Sequence, residues 1–397
     1  MTALSFVRRN QVGVAAVLVM VCSIFYSGLL KPIGARDIDA RYFYVAAKCW
    51  ALGESPYDAA LYKAEYQATF NSQPDALFVA YLPTLLPAIL PMAPLDWPAA
   101  ARLFESLNFA AAMLLVWASY RLVRELLGAP LCPMHWAWLT LGTTIGGVSA
   151  TISTGQTSLL VTSACALAAV GCRLQNRTMV VVGTVIASAK PHLSAPILAF
   201  ILMFEPLQRR SMFLAGGIII GFIAYAAALD GNFIANYLGA IKTYNSLTNN
   251  DPKLQIGLGS LLARTELSPP AIQALSVAFL AISVTLAGVL YRRGGGCARA
   301  IGTALILVFF TIGIIHPIQG YDLCIYAVGI SLCSMLSRRM QLLYLAPAIL
   351  LWRPGLLTKA FPIWSADSIS TVTWLFILAG SIYSAGRMIR GRSITPG

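Results

Sequence analysis

The chain of 397 residues is 58% hydrophobic and 11% charged, with a mean hydropathy of +0.73. An ordinary soluble domain is about 25% charged, so this composition excludes a water-facing globule. Long apolar runs instead of alternation exclude a β-barrel, and their number excludes a signal peptide on a soluble enzyme.

The net charge of +13 arises from short arginine clusters between apolar runs. That is the positive-inside pattern of a polytopic membrane protein, not a nucleic-acid face. At ~30–35 residues per span and connection, the length allows around twelve helical spans in a single integral membrane domain, 1–397. The eight cysteines contain no C-x-x-C and no histidine at ligand spacing, so they read as small apolar residues.

Arg8 and Arg9 precede the first apolar run, residues 11–30, and place the N-terminus in the cytoplasm. The polar stretch 31–75 then lies outside, followed by an apolar run, 76–97, that carries Pro83, Pro87, Pro91 and Pro94. Four prolines in a lipid-exposed span would forfeit too many backbone hydrogen bonds. This run is therefore expected to lie on the protein as a juxtamembrane or re-entrant segment, which makes 31–100 one outer-face region. Residues 101–120 return to Arg121 and Arg124, 134–153 go out, and 157–172 come back to Arg173 and Arg177. Because 178–203 lies between two inside clusters, it must form a hairpin of short helices broken at Lys190-Pro191. Residues 212–229 lead to a second outer loop, 230–268, and 270–291, 298–315, 322–337, 341–353 and 369–387 bring the C-terminus to the cytoplasm.

Ionisable groups at membrane depth cost at least ~2.5 kcal/mol each, so those present carry information. Asp37 and Asp39 follow the first span. Asp39 fits either the cap of a surface helix running through Ala46 or a general base at the outer membrane face. The D-x-D spacing also matches a divalent-metal pair, but no second acidic cluster accompanies it, so no metal or other cofactor is expected. Thr154 to Ser158, with Gln156, reads as a tight outer turn. Lys190-Pro191-His192 sits at the hairpin break, where a lysine has little stem with which to snorkel. His316 to Asp322, with Tyr321, gathers an imidazole, an amide, a phenol and a carboxylate between two spans. Asn245 to Lys253 reads as solvated loop, and His135 as a structural histidine near the cytoplasmic end. The arginine topology brings Asp39, Gln156, Lys190 and the His316–Asp322 group to one face. A lysine and a histidine that neutralise a leaving phosphate, beside a carboxylate that activates a hydroxyl, suit glycosyl transfer from a polyprenyl phosphate.

The segment D-A-R-Y-F-Y-V-A-A-K-C-W-A-L-G-E-S-P-Y-D (39–58) resembles the opening motif of glycosyltransferase family 87. The proline-rich 81–95, T-G-Q-T-S-L-L (154–160), K-P-H (190–192) and G-Y-D-L (320–323) follow in that family's order, with His192 where the family commonly has Gln. The resemblance spans residues 10–340. It implies a GT-C-type all-α bundle of about 11–13 transmembrane helices with outer-face juxtamembrane helices. It also implies a polyprenyl-phosphate sugar donor, as in the family's α-1,2-mannosyltransferases, and Asp39 as general base without a metal. Lys190 and His316 are then expected at the phosphate, with Gln156, Tyr321, Asp322, Tyr44, His192 and Arg41 around sugar or acceptor. The expected activity is inverting transfer of mannose or another hexose to a lipid or glycan hydroxyl at the outer face of the plasma membrane. The main rival class is a polytopic lipid or sugar transporter or flippase, which predicts inverted repeats and midplane charges. No internal repeat is found, and the polar residues gather on one face. A structural subunit of a polysaccharide-export complex is a third class.

Overall fold

The computed structural model describes residues 11–29, 38–72, 74, 81–246, 251–294, 297–315, 318–352 and 365–390. Among these the chain is helical, apart from turns and one antiparallel bridge between Ile256 and Ile318. Asp37 and His316 lie outside the described residues.

Helix α1 spans Gln11–Leu29, α2 Ile38–Ala51, α3 Ala59–Phe70 and α4 Trp97–Leu127. Then come α5 (Pro133–Thr143), α6 (Gly146–Thr154), α7 (Ser158–Arg173), α8 (Arg177–Ala187), α9 (Pro191–Phe204), α10 (Arg209–Leu229) and α11 (Phe233–Ser246). The order ends with α12 (Pro269–Arg293), α13 (Ala298–Phe310), α14 (Tyr326–Leu332), α15 (Arg338–Trp352) and α16 (Ala366–Arg390). Among the described residues four runs are long and apolar enough to cross a membrane: α4, Pro206–Leu229 with α10, α12 and α16. Shorter apolar helices accompany them, which makes this an all-α polytopic membrane protein.

The long helices are set by their caps. Asp96 accepts a hydrogen bond from the Ala99 amide at the start of α4, Pro98 occupies its first turn, and Gly128 closes it in the left-handed region at φ 63°. Its 31 residues span about 46 Å at 1.5 Å each, more than a ~30 Å hydrocarbon core, so α4 continues past the apolar run 101–120 at both ends. Helix α7 is buried along nearly its whole length, between α4 and α8.

Several elements differ from the hydropathy reading. Run 134–153 is broken into α5 and α6 at Thr144-Ile145, where Thr143 and Thr144 turn their hydroxyls back to the carbonyls of Leu139 and Thr140. A Cβ on Gly147 would lie 2.3 Å from the Cys324 amide nitrogen, so this break lets α6 press its backbone against residues 323–324. Run 322–337 is likewise a 3-10 turn, Gly320–Ile325, followed by α14 and a second 3-10 turn, Cys333–Met335. Within the outer loop 230–268 the described residues include helix α11, a 3-10 turn, Pro252–Leu254, and a short helical turn, Leu258–Leu262, and Phe233 and Ala240 of α11 are buried. Helix α2 is no surface helix either: Phe43, Val45, Ala46, Ala47 and Cys49 are buried.

The proline-rich segment is a short helical run, Pro83–Met92, lying on the protein. Pro83, Pro87 and Pro91 each open a new short turn, where a missing N–H costs least. At ten residues it is about 15 Å long and spans nothing.

Helices α8 and α9 form the expected hairpin. The Gln208 side-chain amide donates to Gln175 at 3.1 Å, so the chain enters α8 and leaves α9 at the same end of the bundle. Tyr291 donates to Glu205, and Arg292 lies over the Phe204 ring, which puts the end of α12 there too. Lys190, at the hairpin tip, points into the opposite end.

Candidate active site

Helix α2 begins at Ile38 with Asp39 in its first turn. Its 3.6-residue period divides it into two stripes. Asp39 and Phe43 face the bundle, where the Phe43 ring meets Tyr81 and Phe104. Arg41, Tyr44 and Lys48 fall on the other stripe. There the Arg41 guanidinium lies over Phe70 and Trp97, 5.0 and 5.8 Å from their ring centres, and the Tyr44 hydroxyl donates to the Leu95 carbonyl at 2.5 Å. Lys48 pairs with Glu65 of α3 at 2.8 Å. Arg41 and Tyr44 therefore belong to an aromatic shelf beside the site, not to the cluster around Asp39.

That cluster depends on how α6 ends. Gly155 takes φ +67°, and a Cβ placed on it would lie 2.8 Å from the Ala40 Cβ. Only glycine combines this left-handed turn with so close an approach to the residue after Asp39. The turn delivers Gln156, whose side chain bonds the Asp39 carboxylate while its Oε1 accepts the Tyr81 hydroxyl at 2.7 Å. Gly155→Ala is expected to separate Gln156 from Asp39, because left-handed φ costs about 1–2 kcal/mol and Ala40 cannot retreat into a packed helix. Turnover in protein of normal abundance should fall at least tenfold, and full activity in that variant would show that Gln156 need not touch Asp39.

Two residues on, Ser158 opens α7. Its hydroxyl donates to Asp322 Oδ1 at 2.5 Å and accepts from Lys190 Nζ at 2.7 Å. Lys190 also pairs with the same Asp322 oxygen at 2.6 Å, and the two side chains are almost fully enclosed. The other Asp322 oxygen accepts the Gln319 amide at 3.3 Å. The Lys190 ammonium lies 4.9 Å from the centre of the Tyr321 ring and 5.7 Å from that of Tyr81, a cation–π sandwich. Thr151 of α6 fixes the Tyr321 carbonyl at 2.9 Å, and Tyr244 of α11 meets the Tyr321 hydroxyl at 3.4 Å. His192, in the first turn of α9, is within electrostatic reach of Asp322. The proline-rich segment closes the near side: the Leu82 amide donates to the Ala189 carbonyl, and Ser188 donates to Thr84.

Two carboxylates thus stand at one end of the bundle in unlike surroundings. Asp322 is matched by Lys190. Asp39 makes no ion pair among the described residues; burial raises its pKa above the ordinary carboxylate range, while the Gln156 bond and the more distant Lys190 charge oppose the rise. Such a pair divides labour, one carboxylate fixing a charge and the other free to take a proton. Among the described residues no three of His, Cys, Asp and Glu gather as a metal site, and Asp37 lies outside them.

Asp39, Gln156, Lys190 and the adjacent Tyr321 and Asp322 come together from four separate stretches of chain, with His192 at the edge. Ser158 and Tyr81 were not among the sequence candidates, although both stand in motifs that were noted, T-G-Q-T-S and the Y-L-P start of the proline-rich run. Tyr244 precedes a stretch read as solvated and carried no signal.

The model of glycosyltransferase family 87 matches residues 78–316, more than half of the chain. The matched span contains Tyr81, Gln156, Ser158 and Lys190; Tyr321 and Asp322 lie just past its end, and Asp39 lies 39 residues before its start. No curated protein and no solved structure matches the chain.

Proposed function

This chain belongs to glycosyltransferase family 87, and from that premise we propose that it transfers a hexose, such as mannose, from a polyprenyl-phosphate donor to a lipid or glycan hydroxyl. The observation that carries the reading is the division between the two carboxylates: Asp39 poised on Gln156 with a raised pKa, beside the enclosed Lys190–Asp322 pair.

Asp39 takes the proton of the acceptor hydroxyl as its oxygen attacks the anomeric carbon. The bond from that carbon to the phosphate oxygen breaks, and polyprenyl phosphate leaves with the electron pair. A single displacement inverts the anomeric centre, so a β-linked donor gives an α-glycoside. Lys190 supplies positive charge beside the departing phosphate. The Tyr81 and Tyr321 rings form walls for the sugar, and the proline-rich run borders the prenyl chain. His316, outside the described residues, is a second phosphate candidate. The test is to incubate purified protein with a panel of polyprenyl-phosphate sugars and acceptors and to measure free polyprenyl phosphate. Transfer from a nucleotide sugar, with none from any prenyl donor, would sink the donor assignment.

In this reading the site end of the bundle faces outward from the plasma membrane and both termini are cytoplasmic; the positive-inside distribution of the arginine clusters supports it. Asn71, after α3, and Leu207, between α9 and α10, are both exposed and stand at opposite ends. In a background lacking the native cysteines, an impermeant thiol reagent should label Asn71→Cys in intact cells and Leu207→Cys only after the membrane is opened. The reverse pattern would invert the topology.

A further inference from the structure

At the arginine-rich end, about 20 residues along α4 from Phe104 and so roughly 30 Å from the Asp39 cluster, lies a groove of about 890 Å³. It runs between α1, the last turns of α4 and the connection to α5. A volume of that size suits a ligand of several hundred daltons.

Its two walls differ in chemistry. On α1, Val14, Val17 and Leu18 line it, and Val17 and Leu18 are 37% and 57% exposed. Across from them stand Tyr120, stacked on Trp136 with ring centres 5.4 Å apart, and Arg124. The carboxylate in the groove, Glu125, is held by Arg121 at 3.0 Å. The Arg124 guanidinium donates to the Tyr120 hydroxyl at 3.5 Å, and both side chains line the groove.

Depth gives the walls their meaning. Phe25 stacks on Phe109, whereas Gly13 abuts Trp136, beside Tyr120, so α1 and α4 run antiparallel. Moving from Gly13 to Leu18, and from Arg124 back to Tyr120, therefore leads from the membrane surface inward. The cation lies at headgroup level and the apolar wall at acyl-chain level. A soluble anion would use only the first, and a neutral lipid only the second.

We propose that this groove binds an anionic phospholipid, its phosphate on Arg124 and the Tyr120 hydroxyl and one acyl chain along Val14, Val17 and Leu18. Trp136 is the built-in reporter. In detergent micelles, phosphatidylglycerol with brominated tails should quench the Trp136 share of the fluorescence, taken as the difference from Trp136→Phe. It should do so at roughly tenfold lower mole fraction than phosphatidylcholine with the same tails, because both lipids carry the phosphate but the choline cation of phosphatidylcholine offsets its attraction to Arg124. Arg124→Gln should abolish the preference by weakening quenching by phosphatidylglycerol more than quenching by phosphatidylcholine, and Arg124→Lys should retain part of it. In the unmodified protein the preference should shrink as salt is raised to about 0.5 M, because a partly exposed charge is screened. Equal quenching by the two lipids, a preference that survives Arg124→Gln or high salt, or no quenching by either lipid would each overturn the proposal, the last because no acyl chain then reaches Trp136.

Discussion

Asp39→Asn is expected to lower turnover by about 10²–10⁴-fold, the usual contribution of a general base, with abundance and membrane insertion unchanged. The amide preserves the shape of the side chain and can still meet Gln156 once that group flips, but it cannot take a proton. The pH profile makes the same claim independently. Burial holds the Asp39 pKa above the ordinary carboxylate range, so the protonated, inactive form persists to higher pH than for an exposed aspartate. The acid limb of kcat/KM should therefore lie above that range. Gln156→Leu removes a bond that favours the charged form and should move the limb further up. A limb at the ordinary carboxylate position, or Asp39→Asn protein with wild-type turnover, would remove Asp39 from the chemistry. Loss in Asp37→Asn equal to that in Asp39→Asn, rescued by divalent cation, would instead favour a metal pair.

Hydropathy and arginine placement carried much of the architecture. They located the broken hairpin at Lys190-Pro191 because the run 178–203 starts and ends at inside clusters, and four prolines spaced three or four residues apart excluded a lipid-exposed span at 83–94. These are local constraints, and the chain obeys them. What could not be read is proximity. Nothing in the local sequence around Lys190 says that its partner is Asp322, 132 residues away. Nor does anything near Asp39 show that a glycine at 155 allows Gln156 to reach it. Helical period separates Asp39 from Arg41 and Tyr44, yet a motif read as a string treats all three alike. Helix α11 inside 230–268 was hidden for a related reason: polar composition marks solvent contact on one side of an element and is silent about the buried Phe233 and Ala240 on the other.

The buried pair makes the strongest claim about stability. Replacing Lys190 alone leaves the Asp322 carboxylate in a site only 2% exposed, with Ser158 and the Gln319 amide as its remaining partners. Breaking such a pair costs about 3–5 kcal/mol, whereas replacing both members is often neutral. Lys190→Met and Asp322→Asn should thus each lower the melting temperature and the yield of purified protein, and the double variant Lys190→Met/Asp322→Asn should recover most of both. Activity then separates structure from chemistry. If Lys190 only balances Asp322, the stable double variant turns over normally. If its charge also meets the departing phosphate, the double variant stays at least 10²-fold slow, the usual effect of losing one preorganised donor. We expect the slow outcome, because the ammonium sits between the Tyr81 and Tyr321 rings beside the carboxylate assigned as base, where a purely structural ion pair has no need to be. A double variant that is both stable and fast would hand the phosphate to another cation, and His316 would be the first to replace.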